Sequence, residues 1–250
     1  MTFLAGAAIA DDPATAEAAR PELWRHARRF NLPVKLALTA AHDVAARARA
    51  PADARLVSLS PCHAGSPELW RATYAFETNL AQTGKAARVR VNPTYTLHAI
   101  DNLALSALAI DLRNHAPCLG LGGAPGQAWT ALEWILEQAS GDGRPDDGEG
   151  GEVLLFAGDQ TPTGTSALGV AALFSDRPGG GPAIRLVAVE RAPLTRPSEG
   201  APDADAAAGL RRWIAALSAF AARGRGPHAY AVPPADGDGR DRITVVAEVS

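Results

Sequence analysis

The sequence predicts an α/β protein whose helices cover both faces of a largely parallel sheet. Strand-like and helix-like segments alternate along the chain, the order expected of α/β layers. One segment, "EVLLFAGD" (152–159), is apolar throughout, the pattern of a strand covered on both sides. Between the segments lie Gly-, Pro- and Asp-rich loops, at 141–151, 176–182, 195–205 and 233–241, and no internal repeat interrupts the alternation.

"TFLAGAAIA" at the amino terminus reads as the first strand. In "PVKLALTAAHDVAARARA" (33–50), Leu36, Ala40, Val44 and Ala48 recur at helical spacing with charges on other faces, so an amphipathic helix is expected. "ARLVSLSP" (54–61) is a strand. Ser66 followed by Pro67 and Glu68 caps a second helix, "SPELWRATYAFETNLAQTG". "TLHAIDNLALSALAIDLRN" is an apolar helix with few charges, expected to be buried on most sides. "PCLGLGG" is strand-like, and "GQAWTALEWILEQASG" is a helix closed by Gly141. After the apolar strand, "ALGVAALFSD" and "AIRLVAVER" look like a strand pair. "AGLRRWIAALSAFAARG" is another amphipathic helix and "RITVVAEV" a last strand.

Composition narrows the function classes. The 250 residues are 47% hydrophobic and 20% charged with a formal net charge of −3, so no nucleic-acid partner is expected. Arg25, Arg28 and Arg29 form only a small basic cluster. Two cysteines, Cys62 and Cys118, are too few for a disulfide framework. A single bridge stays open, but a reducing compartment fits better. The amino terminus has no positive leader, and its apolar run is broken by Asp11 and Asp12. No run approaches the ~20 apolar residues that span a bilayer, so a cytoplasmic protein without membrane insertion is expected.

The chemistry-bearing stretch is "CLGLGGAPGQAWTALEWILEQA", from Cys118 to Ala139. A short strand enters a glycine-rich corner that opens a helix. Free N–H groups and the positive end of the helix dipole converge at such a corner, which suits an anion or a thioester. A cysteine there would be a strong nucleophile. The corner instead reads Gly122-Gly123-Ala124-Pro125-Gly126-Gln127, with no thiol, hydroxyl or carboxylate.

The order of segments resembles the amino-terminal half of a β-ketoacyl synthase, of the thiolase-like superfamily. "RRFNLPVKLALTAAHDV" resembles that family's Arg-Arg leader into its early helix. "VNPTYTLHAIDNLALSALAIDL" resembles its Ser-Pro-x-x-Phe…Val-His-Asn-Ala stretch, with Asn102 at the place of the family's Asn. "APCLGLGGAPGQAWTALEWILEQA" resembles its strand, nucleophile elbow and buried helix, and "EVLLFAGDQ" its strand ending in Ala/Gly-x-Asp. The match is clearest over residues 25–190, within one synthase-like domain spanning 1–250. Residues 191–250 form an extension in place of the carboxy-terminal half, which is truncated or missing.

The resemblance implies a layered α/β/α fold and a lost reaction. The family's catalytic cysteine falls eight positions after the proline that leads the strand, and eight after Pro117 is Pro125. Proline has no nucleophile and no N–H. After residue 190 the only histidine is His228, where the family carries two. Pro125 is therefore either a vacated nucleophile position or a plain first-turn proline. Asn102, Ala124, Gly126, Gln127 and Trp129 are pocket or tunnel candidates, with Gln127 alternatively a cap and Trp129, like Trp134, a core residue. Cys118, Leu119, Gly120, Leu121 and Gly122 are dimer-interface candidates, because the family commonly pairs this strand across the dimer.

Short proteins of this kind resemble the chain length factors of aryl polyene and type II polyketide pathways. The resemblance implies a heterodimer with a catalytic ketosynthase, reaching an acyl carrier protein through the complex, with poor behaviour when the partner is missing. No cofactor and no metal are expected. The competing expectation is a stand-alone acyltransferase or thioesterase using Cys118 or a serine. Other motifs are weak. The spacing of Gly120, Gly122, Gly123 and Gly126 is not that of a dinucleotide fingerprint. His98 and Asp101 with Ser60 or Ser106 lack a Gly-x-Ser-x-Gly elbow. His63 beside Cys62 has no second ligand pair.

Overall fold

The computed structural model describes residues 1–27, 30–59, 103–124, 126–160 without 141–150, 166–194, 206–233, 237 and 241–250. Within them the chain builds one eight-stranded sheet and six helices. The strands are β1 (Thr2–Ala10), β2 (Arg55–Leu59), β3 (Cys118–Leu121), β4 (Val153–Gln160), β5 (Ala167–Ser175), β6 (Ile184–Pro193), β7 (Gly226–Ala231) and β8 (Asp241–Val249). The helices are α1 (Pro13–Ala19), α2 (Pro21–His26), α3 (Leu32–Ala45), α4 (Leu103–Asp111), α5 (Gln127–Ser140) and α6 (Ala206–Ala221). Among the described residues no helix is long and apolar enough to cross a membrane.

The strand order is β3-β2-β4-β5-β1-β6-β8-β7. Only β2–β3 and β2–β4 are parallel; every other pairing is antiparallel. This corrects the largely parallel sheet expected from the sequence. Residues 161–166 link β4 to β5 and are too few for a crossover, which needs a dozen or more residues, so the chain must turn back.

β5 and β6 are strands but not partners, a second correction, because β1 inserts between them. β6 starts level with the end of β5: Phe3 faces Ser175 on one side and Arg185 on the other. The loop joining them therefore only has to step over the start of β1. Gly179 makes that step possible, since a Cβ there would lie 2.3 Å from the Ala5 carbonyl oxygen. The β1–β6 seam itself is short, with only Thr2 and Phe3 in register.

Helices cover both faces. On one, α3 and α4 bury Val34, Ala37, Leu38, Ala41, Val44, Ala104, Leu105 and Leu108 against Leu56, Leu154, Phe156 and Leu173. On the other, α5 and α6 bury Trp129, Leu132, Ile135, Leu210, Trp213 and Leu217 against β4, β5 and β8. β4 sits at the centre, buried from Val153 to Asp159, as its unbroken apolar run requires.

Local chemistry sets the helix limits. Asn31 caps α3 by accepting from the Val34 N–H at 3.2 Å, with Pro33 in the first turn. α3 stops at Ala45, short of the expected 50, and Ala46 closes it; Pro51 lies beyond and disfavours helix at Ala50. The short helices α1 and α2 and the edge strand β7 carry no expectation from the sequence. α1 begins with Asp12 before Pro13, and the Asp12 carboxylate accepts from the Ala14 and Thr15 N–H groups. Trp24 docks α2 by donating to Thr39 Oγ1 at 3.0 Å, and that hydroxyl donates to the Lys35 carbonyl at 2.9 Å.

Candidate functional site: the helix corner and the open strand

The parallel strands β2 and β3 end level at Leu59 and Leu121, while β4 runs on past Ala157 to Gln160. α5 follows β3 after the corner at 122–126, at the end of the sheet where open α/β folds hold ligands. Of the corner residues, Gly122 and Ala124 are exposed, Gly123 and Gly126 buried, and Gln127 half-buried. Gly126 has a φ of +89°, a conformation that disfavours any side chain. The Gln127 N–H donates to the Ala124 carbonyl at 3.1 Å, closing the turn. Pro125 and Asn102 lie outside the described residues.

What this corner can do chemically depends on its reactive groups. The hydroxyl on the first turn of α5 belongs to Thr130. It lies 3.5 Å from the Gly126 carbonyl and receives a hydrogen bond from Arg191 at 3.2 Å. A guanidinium stays charged and cannot take a proton, so the Arg191 contact does not activate this hydroxyl as a nucleophile. Arg191 is itself held by Glu133, at 2.5 and 3.1 Å. Asp159 is buried at 2% exposure near the end of β4 and accepts from the Gln160 N–H at 2.7 Å.

Trp129 is fully buried one turn into α5, with its ring centroid 6.3 Å from that of Tyr230 on β7. Trp134 is half-buried against the same core. The structure thus places Trp129 in the packing between α5 and the far edge of the sheet. Tyr230 had no signal in the sequence beyond an alternating pattern in a short segment.

Cys118 lies at the start of β3 and is exposed. Its thiol stands 3.6 Å from Asn114 Oδ1 and from the Ala116 carbonyl, two acceptors that cannot deprotonate it. Partial burial raises its pKa above the ordinary thiol value. This is the opposite of an activated nucleophile. Ser106 is exposed on α4, while His98, Asp101, Ser60, Cys62, His63, Arg28 and Arg29 lie outside the described residues. Among the described residues no group of three or more His, Cys, Asp or Glu could hold a metal ion.

Among the described residues β3 is an end strand of the sheet, paired to β2 alone. Cys118, Gly120 and Gly122 are exposed, and Leu119 and Leu121 are half-buried against the core beneath α5. α4 packs beside it, over β2 and β3. Contrary to the expectation of burial on most sides, Ile110 of α4 is 75% exposed. Hydropathy predicted burial all round, but only Ala104, Leu105 and Leu108 of α4 are buried, with Ala107 and Ala109 partly covered by the same core.

No family model matches the sequence, and no curated protein does. Among solved structures, the fold is similar to a ketosynthase (ApeO) in complex with its chain length factor (ApeC) from Xenorhabdus doucetiae. The match has 15% identity, a TM-score of 0.59 and covers 99% of each chain. It is also similar to the ishigamide ketosynthase/chain length factor, with 11% identity, a TM-score of 0.66 and 99% of each chain covered. Both matched chains are thus nearly the same length as this one. The chain has the thiolase-like α/β fold of ketosynthase and chain length factor proteins.

Proposed function

We propose that the chain is a non-catalytic, chain-length-factor-like partner of a catalytic ketosynthase. It completes a heterodimer and shapes the acyl tunnel in polyketide or aryl polyene biosynthesis, in the cytoplasm, meeting the acyl carrier protein through the complex. The observation that carries this reading is the corner at the head of α5. Its sequence supplies no nucleophile from Gly122 to Gln127, and the nearby Thr130 hydroxyl is engaged by Arg191. Full mutual coverage with the ketosynthase and chain length factor structures supports it.

Co-expression with a catalytic ketosynthase of a polyketide or aryl polyene pathway tests the reading. A one-to-one complex by light scattering, with acyl groups on the ketosynthase and none on this chain by intact mass, is the expected result. An acyl adduct on this chain, or a lasting failure to co-purify, overturns it.

A further inference from the structure

At the β6-β8-β7 end the sheet has two unlike faces. Along β8, Ile243, Val245, Ala247 and Val249 alternate with Arg242, Thr244, Val246 and Glu248. The first four are buried in the core that α5 and α6 close. The second four are not buried.

The ladder carries that second face across three strands. Arg185, Glu248 and Pro227 form one row, and Ala188, Val246 and Ala229 the next. Glu190, Thr244 and Ala231 follow, then Ala192 beside Arg242. None of these residues is buried, and Glu190, Ala192, Arg242, Pro227, Ala229 and Ala231 are exposed. On this side α3 and α4 pack over β1, β2, β3, β4 and β5. Among the described residues no helix packs in the same way on the β6-β8-β7 rows.

Charge sits only towards the two ends of the face. Arg185 and Glu248 form an ion pair with each other at one end. At the other, Glu190 and Arg242 are exposed, and among the described residues neither has an ion-pair partner. The middle holds Ala188, Val246, Thr244, Ala229 and Ala231, without charge. An uncharged centre with charges at its rim is the make-up of a contact surface.

We infer that this face docks on the same face of a second copy of the chain. A two-fold axis running across the strands, between the Val246 and Thr244 rows, keeps β8 over β8 and reverses the order of the rows. Glu248 then meets Arg242 of the second copy, and Arg185 meets the end that holds its Glu190. Each contact occurs twice, and both free charges gain an opposite partner. A two-fold along the strands would instead set Glu248 on Glu248 and Arg242 on Arg242, so charge selects the first arrangement. The uncharged rows close on one another as in a β-sandwich, about 10 Å apart.

Size sets the strength. Three strands ~4.8 Å apart, each ~25 Å long from Arg185 to Ala192, cover roughly 350 Å² per copy. A standard interface covers about 800 Å² per partner, so this pairing is weak and rises with concentration. The face lies at the opposite end of the sheet from β3. The contact therefore leaves the expected heterodimer strand free, and two copies can meet whether or not each carries a ketosynthase.

Light scattering over a concentration series tests this on the full chain and on its complex with a ketosynthase. The mean mass should climb towards two copies, or two heterodimers, and added salt should lower it. Arg242→Glu and Glu248→Arg each bring like charges together and should weaken the association at least tenfold. Mixing these two variants restores opposite charges at both contacts and should restore the mass. Ala215→Glu, at an exposed site on α6, should associate as wild type does. A wild-type mass that stays flat, charge variants that associate like wild type, or a mixture that stays apart overturns the inference. In each of those cases a heterodimer that still forms leaves the proposed function standing.

Discussion

Gly158 and Gly169 face each other across the β4–β5 ladder, and the backbone of α3 rests on both. A Cβ on Gly169 would fall 2.1 Å from the Leu36 carbonyl carbon, and one on Gly158 would fall 2.4 Å from the Pro33 carbonyl oxygen. The obstacles are helix backbone, which cannot swing aside. This pair sets how closely α3 approaches the centre of the sheet, and with it the depth of the core under Leu38, Ala41 and Phe156.

Gly169→Ala should therefore destabilise by about 3 kcal/mol or more, at the upper end of what overpacking costs. Gly158→Ala should follow with a similar or smaller loss. In the double variant the costs should sum to less than their total, because lifting α3 once relieves both contacts. Urea unfolding of the two single variants and the double variant measures this; strict additivity would show that the two sites do not share one obstacle.

The loop before β2 is tied down by one buried carboxylate. Glu152 is 7% exposed and accepts from the Arg49 N–H at 2.8 Å and the Ala50 N–H at 3.4 Å. Its ion pair with the Arg49 guanidinium adds little, since that side chain is 45% exposed. The backbone donors matter more. Glu152→Ala strands them and should cost about 2–3 kcal/mol, whereas Glu152→Gln keeps an acceptor and should cost about 1. Equal losses for both variants in urea unfolding would shift the weight to the charge.

Periodicity and apolarity made α3, α5, α6 and β4 legible in the sequence, because each buries a face or a whole length that the pattern records. The position of β1 was not legible. A strand whose second half is Ala-Gly-Ala-Ala-Ile-Ala carries no mark of its neighbours, and its place between β5 and β6 goes with a loop that passes over Ala5. β7 escaped notice because Pro227, Ala229 and Ala231 look like loop residues until Tyr230 and His228 are seen turned inward. Ile110 shows the limit from the other side: hydropathy marks a residue that seeks cover without saying whether this chain supplies it. The candidate corner was legible as Gly122-Gly123 before a helix, but the Arg191 bond to Thr130 joins residues far apart in sequence and had no local signal.

His42 gives a pH dependence with a defined sign. It lies in the last turn of α3 and bonds to Asp111 of α4 at 3.3 Å. Burial lowers its pKa below 6.5, outweighing the opposing pull of Asp111 and Asp43 and acting with the repulsion from Arg20. The unfolded chain thus binds a proton more readily than the native one as pH falls through 6.5, so stability declines from there down to the lowered native value. Above pH 7 this group leaves stability unchanged. His42→Gln should flatten the loss between pH 7 and pH 5.5, measured as the difference in urea midpoints. A variant that loses as much as wild type over that interval would assign the slope to other groups.

Cys118 separates a bystander thiol from a nucleophile. Exposed on the open strand, with its pKa raised by partial burial and only acceptors at 3.6 Å, it should be almost wholly protonated at pH 7.5. Since the thiolate is the reacting form, alkylation by iodoacetamide in a Cys62→Ser background should be slow. Its rate should climb about tenfold per pH unit between pH 7 and 8.5. Rapid labelling that is flat across this range would mean a thiolate stabilised by something other than Asn114 and Ala116, and it would return the stand-alone acyl-transfer chemistry to this chain.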